Sequence, residues 1–202
     1  MTIADSKRIQ QTEAIIEAAL RALRTHGYAA TSLARIAEEA GTSKRMVLHY
    51  FASREELFEA VVRRVCRRIL RQVEQAIAEQ EDPAVGLDEG LDQLWDEILA
   101  DPGLHAVFFG LLAESVTDPT LRATIHVVRA EYRELISRVI AASRPADAPL
   151  TPDEAESAAT LVLATVVGLT IDFLERGDTP ALRRAFADFK HHVDLITSGQ
   201  AG

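Results

Sequence analysis

Residues 31–57, TSLARIAEEAGTSKRMVLHYFASREEL, decide the fold of this chain. Leu33, Ile36, Ala37 and Ala40 recur at helical spacing, so a first short helix turns one face to a core. Gly41 follows the last of them, where a helix can stop on a left-handed residue that costs glycine little. Ser43 can then cap a second helix by accepting backbone N–H bonds. That helix, Lys44 to Tyr50, carries cationic and polar side chains on one side. A third helix starts after Ser53, and Ser53 with Glu56 makes the Ser-x-x-Glu pattern of a capping box. Two short helices about a tight turn form a helix-turn-helix, which points to double-stranded DNA as partner.

The rest of the chain reads as helix on either side of this stretch. Ile9, Ile16, Leu20 and Leu23 share one face of a helix from about Ser6 to His26, with Gly27 past its end. Downstream, Leu57, Phe58, Val61, Val62, Val65 and Ile69 keep a helix amphipathic from residue 54 to about 80. Further helices are expected at about 84–100, 103–116, 119–143, 152–176 and 180–197, divided by clusters of Pro, Gly, Asp and Thr. The expected fold is all-α with about nine helices. A head of residues 1–52 holds the helix-turn-helix, and a larger helical body of residues 53–202 follows, joined through the helix 54–80.

Charge is distributed to match. The net charge of −9 divides into +5 over residues 1–71 (13 Lys+Arg, 8 Asp+Glu) and −14 over residues 72–202 (9 and 23). A basic head on an acidic body suits a polyanionic partner at one end only. The 48% apolar content supports a true core. The lone cysteine, Cys66, excludes an internal disulfide and a multi-cysteine zinc site. The start, MTIADSKRIQQTE, has no apolar leader, and the longest uncharged run, Ser157 to Ile171, spans 15 residues. A bilayer needs roughly 20, so a cytoplasmic location is expected. His-Glu-x-x-His, a glycine-rich phosphate loop and Gly-x-Ser-x-Gly are all absent. His191 and His192 are adjacent and project about 100° apart on a helix, a poor pair for one metal. We therefore expect no enzyme, no cofactor and no metal.

In a major groove, the residues near a recognition helix's N-terminus reach base edges. Those are Thr42, Ser43, Lys44, Arg45 and Met46, with His49 a turn later. Arg45 is the candidate for direct readout, because its fork spans the two acceptors of guanine. Thr31, Ser32, Tyr50 and Arg54 are candidates for phosphates, which set register rather than sequence. The arginines at 63, 64, 67, 68 and 71 lie farther along the third helix and read as a solvated face. So small a head buries little groove surface, so a two-fold homodimer on a roughly palindromic operator is expected, its half-sites about 34–36 Å apart.

GTSKRMVLHYFASREEL resembles the DNA-binding segment of the tetracycline-repressor (TetR) family. Gly41, Ser43, His49, Tyr50, Phe51, Arg54, Glu56 and Leu57 stand at the family's positions, and His26-Gly27-Tyr28 with Thr31-Ser32 match its link between the first two helices. The detailed likeness covers residues 8 to 62. Leu48 departs from it, standing where family members commonly have a tyrosine that touches a phosphate. The resemblance implies a dimer made by the last two helices. Ala158 to Phe173 is apolar nearly all round and so expected to be buried on most sides, with Ala164 and Gly168 small enough for close approach. Leu182, Phe186, Phe189, Val193 and Ile196 form a stripe on the last helix. The resemblance also implies a small-molecule pocket in the second domain, whose occupancy releases DNA. Trp95, Phe108, Phe109, His126, Tyr132 and Phe173 are its candidate lining, and Asp172, within an apolar run, its candidate polar anchor. The leading function is thus a ligand-responsive transcriptional regulator, most often a repressor in this family. The alternatives are a TetR-like DNA-binding protein without a small ligand, and a helical protein-interaction module.

Overall fold

Five helices of this chain begin on a proline that follows Asp or Thr. Proline lacks the N–H that a helix start cannot use, and its fixed φ already suits a helix. The residue before such a proline can supply a capping oxygen. The computed structural model describes residues 3–199, apart from the side chains of residues 3, 4, 69 and 72, so the place expected for Ile69 lies outside the described residues. The helices are α1 (Ile3–Ala30), α2 (Leu33–Glu39), α3 (Lys44–Tyr50), α4 (Arg54–Ala78), α5 (Pro83–Ala100), α6 (Pro102–Glu114), α7 (Pro119–Ser143), α8 (Pro152–Arg176) and α9 (Pro180–Ser198). Asp82, Thr151 and Thr179 accept from the N–H groups of Ala84, Glu154 and Leu182. Asp118 accepts from those of Thr120 and Leu121, at 2.9 and 3.0 Å. At α8 the Thr151 N–H in turn donates to the Glu154 carboxylate at 2.8 Å, closing a capping box that the Thr-x-x-Glu spacing encodes.

The chain packs as two compact units. The first is the chain up to Cys66 together with Gly103–Val127, and the second is Arg67–Pro102 together with the chain from Val128. This division differs from a boundary at residue 52, because the first half of α4 packs with the head. Phe58 lies 5.1 Å from the Tyr28 ring, Leu57, Val61 and Val62 are buried, and the Thr124 hydroxyl donates to Glu59 at 3.1 Å. Ile15, Ala18, Ala19, Ala22, Ile36 and Val47 complete the inner face of the helix-turn-helix. Ile9, expected on that face, is 53% exposed. α1 breaks at Gly27, the expected end of the first helix: the glycine stands at φ 70°, ψ 177°, a conformation open to glycine almost alone, and residues 28–30 form a separate short turn beyond it.

In the second unit, Leu87, Leu91, Trp95 and Ile98 of α5 join Leu182, Phe186, Phe189 and Val193 of α9 in one core. Lys190 ties α9 to α5, its ammonium 2.5 Å from Asp92 and 2.9 Å from Asp88. Burial lowers the Lys190 pKa, but hydrogen bonds to Asp92 and Asp88 outweigh it and hold the group above the ordinary lysine value. Within one chain α8 leaves part of its apolar run uncovered: Leu161 is 58% exposed and Ile171 47%. By length and composition α8 could cross a bilayer, which the 15-residue uncharged run did not suggest. A helix covered by protein has the same composition.

Candidate nucleic-acid interface

The turn between α2 and α3 is built by backbone bonds. The Thr42 N–H donates to Ala37 O at 2.9 Å and the Gly41 N–H to Glu38 O at 3.0 Å, with Gly41 at φ 61°. This pair of bonds about a left-handed residue is the Schellman closure of a helix. It delivers the chain directly to Ser43, whose Oγ accepts from the Met46 N–H at 3.2 Å. Ser32 does the same for α2, accepting from the Arg35 N–H at 3.3 Å. Val47 is fully buried and anchors α3, and Phe51 closes it from behind. The rest of α3 faces outward: Lys44, Arg45, Met46, Leu48 and His49 are all exposed, and Tyr50 is half-buried with its ring edge-on to His49 at 5.2 Å. Cations on one face of a helix fixed by one buried valine can be presented to a polyanion without disturbing the core.

Two of the phosphate candidates turn inward instead. Thr31 is 1% exposed, and its hydroxyl donates to Gly27 O at 2.6 Å. Arg54 lies over the Tyr28 and Phe58 rings, its guanidinium carbon 4.3 and 4.6 Å from their centroids. Its Nε donates to Thr31 O at 3.0 Å and its Nη2 to Tyr28 O at 2.6 Å. The Tyr28 carbonyl also accepts from the Thr31 N–H at 3.2 Å, and the guanidinium adds a charge-assisted bond to it at the aromatic face that also screens the cation. Thr31 and Arg54 therefore hold the corner between α1 and α2. The clamp spans 26 residues of sequence, and a phosphate-contacting arginine would have the same local context, so spacing alone could not reveal it.

α4 starts as its Ser-x-x-Glu pattern requires on one side: the Glu56 N–H donates to Ser53 Oγ at 3.1 Å. The Glu56 carboxylate reaches one residue farther than expected and accepts from the Ala52 N–H at 2.6 Å. Farther along, Arg63 pairs with Glu59 at 2.6 Å and Arg64 with Glu13 at 2.9 Å, so part of the arginine face is spent on ion pairs.

The ligand candidates separate. Phe108, Phe109 and His126 belong to the first unit, and Trp95, Tyr132, Asp172 and Phe173 to the second. Phe108 and Phe109 meet edge-on at 5.6 Å, and His126 is exposed. Trp95 is a core residue, stacked on Phe186 at 4.6 Å with Phe173 at 6.4 Å. Asp172 is not a buried anchor. It is half-buried and grips Arg176, one turn on, through two hydrogen bonds of 2.8 and 2.6 Å. Its position on α8 lets the arginine four residues later cover it, which meets the carboxylate's demand for a partner.

Comparison with known proteins bears on this geometry. Residues 15–61 match the bacterial regulatory proteins of the tetR family, and residues 83–198 match the C-terminal part of BetI-type transcriptional repressors. The chain is 27% identical over 188 residues to the HTH-type transcriptional regulator BetI of Burkholderia thailandensis, covering 93% of each chain. It is 27% identical over 183 residues to the BetI regulator of Burkholderia cenocepacia, covering 90% of this chain and 91% of the other. Among solved structures, a transcriptional regulator from Rhodococcus sp. Rha1 superposes with a TM-score of 0.74 at 25% identity, over 93% of this chain and 96% of that one. A TetR transcription regulator from Haloarcula marismortui shares the fold at a TM-score of 0.78 and 24% identity, over 92% and 97%. The all-α helix-turn-helix chain described here belongs to the tetR family of bacterial regulatory proteins, with a C-terminal part of the BetI type, and is a DNA-binding transcriptional repressor.

Proposed function

We propose that the outward face of α3 lies in the major groove of a roughly palindromic operator. Thr42, Ser43, Arg45, Met46 and His49 face the bases, and Ser32, Lys44 and Tyr50 face phosphates. The observation that carries this is the exposure of Lys44, Arg45 and His49 on a helix whose only fully buried residue is Val47. Arg45 reads a guanine and Lys44 sets register. On a duplex recovered from a random pool, Arg45→Ala should lose roughly 10- to 100-fold of its preference over non-specific DNA. Lys44→Ala should weaken all duplexes alike and lower the slope of log K against log salt by about 1.8, roughly 0.9 for each subunit. An Arg45→Ala protein that keeps its full preference would remove Arg45 from readout.

TetR-family regulators are generally dimeric, and we infer that α8 leads the interface here. Leu161, Ala164, Gly168 and Ile171 follow one another at intervals of three and four on its exposed side, and the space beside Gly168 is open. The α9 stripe makes a smaller contribution than expected, because Leu182, Phe186, Phe189 and Val193 turn into the unit's own core. A small-molecule effector completes the reading, as is typical of the family. It would favour the head spacing that does not fit the operator, and operator DNA would weaken effector binding by the same factor. Half-buried Tyr132 and Phe173 are the candidates kept for it in the second unit. Trp95, the chain's only tryptophan, sits beside Phe173 and reports on it. Titration with a panel of apolar acids and bases, followed by Trp95 emission and by operator release, tests this. Release without any emission change would move the effector away from Phe173.

A further inference from the structure

α3 exposes an aliphatic side chain among its cations. Leu48 is 41% exposed, one turn beyond Lys44 and three residues beyond Arg45, so it shares their side of the helix. A single exposed leucine is ordinary on a protein surface. This one lies on a face whose occupant is known by class, since the chain is a DNA-binding repressor. Leucine has no donor or acceptor for a phosphate or a base edge. The major groove offers one apolar group to it, the C5-methyl of thymine. Against any other base edge, Leu48 would strip water from a donor or acceptor and return no hydrogen bond.

We propose that Leu48 is a specificity-determining residue that reads a thymine methyl in each operator half-site, beside the guanine read by Arg45. The inference rests on the placement of α3 in the major groove. It makes the protein a reader of 5-methylpyrimidine at one position and of hydrogen-bonding pattern at the next.

Uracil tests it, because thymine-to-uracil replacement removes the methyl and leaves every hydrogen-bonding group and charge in place. Each thymine of a duplex selected from a random pool is replaced in turn, and affinities are measured for the full-length wild type, Leu48→Ala and Leu48→Met. We expect one thymine per half-site whose replacement weakens the wild type roughly fourfold, as for loss of one methyl-sized apolar contact. Replacing both symmetric thymines should weaken it about 16-fold. Leu48→Ala should bind thymine and uracil duplexes alike, and Leu48→Met should keep the preference. Leu48 is exposed, so the variants should fold, which circular dichroism checks. If every replacement is neutral for the wild type, or if Leu48→Ala discriminates as well as the wild type does, the inference fails while groove binding stands. If the pool yields no preferred duplex, the placement of α3 fails and takes this inference with it.

Discussion

α3 and α8 both leave a face uncovered, and the two faces differ in what they ask for. α3 shows lysine, arginine and histidine around one leucine, and α8 shows leucine, isoleucine, alanine and glycine. Exposed cations are well solvated, so α3 can wait in water for its partner at little cost. An apolar strip in water is unfavourable by about 25 cal/mol per Å2, which is the ground for proposing a lasting cover over α8. A transient polyanion suits the first face, and a second copy of the chain suits the second.

The sharpest way to break this contrast is to charge the α8 strip. Leu161→Glu with Ile171→Glu should convert the dimer to monomer in sedimentation. Because two heads are then no longer linked, operator affinity should fall by about 100-fold or more. A double variant that stays dimeric would show that α8 is not the interface.

A smaller effect should come from behind the DNA face. Arg54→Ala removes two charge-assisted hydrogen bonds and a stacked cation. We expect it to destabilise the protein by about 2–3 kcal/mol in urea unfolding. The slope of operator affinity against salt should stay unchanged, because the guanidinium neutralises no phosphate. A slope lower by about two phosphates, one per subunit, with stability intact would return Arg54 to the DNA.

The smallest effect concerns Lys190. Its pKa is raised in the folded protein, so its contribution is complete below the unfolded lysine value of about 10.4 and is lost as pH rises through the higher folded value. Partly exposed pairs are worth no more than about 1 kcal/mol. That should lower the thermal midpoint by about 2–4 °C in a chain of this size. Lys190→Met should lack this alkaline step, as seen by calorimetry from about pH 10 to 12. The same step in the variant would assign it to other groups.

Much of this was legible because it is local. Gly41, Ser43 and Ser53 announce themselves through turn and cap chemistry that acts over three or four residues. The prolines at 83, 102, 119, 152 and 180 likewise mark helix starts that the structure keeps to within a residue or so. Thr151 with Glu154 is equally legible as a Thr-x-x-Glu pattern. What was not legible involves partners far apart in the chain. Arg54 could serve a phosphate or a carbonyl, and only the arrival of Tyr28 and Thr31 beside it decides. Asp172 with Arg176 is the opposite case, a pair at i, i+4 that spacing alone makes legible. The Leu182, Phe186, Phe189 and Val193 stripe could have faced a second copy or its own core, since periodicity marks an apolar face without saying what covers it.

Amino-acid order alone determined the helix ends, the recognition helix and the split of charge between head and body, because each follows from groups close along the chain or from a simple sum. Tertiary structure alone decided which arginines remain for DNA and which apolar faces remain for a partner. Both are set by what is left after the core has taken its share.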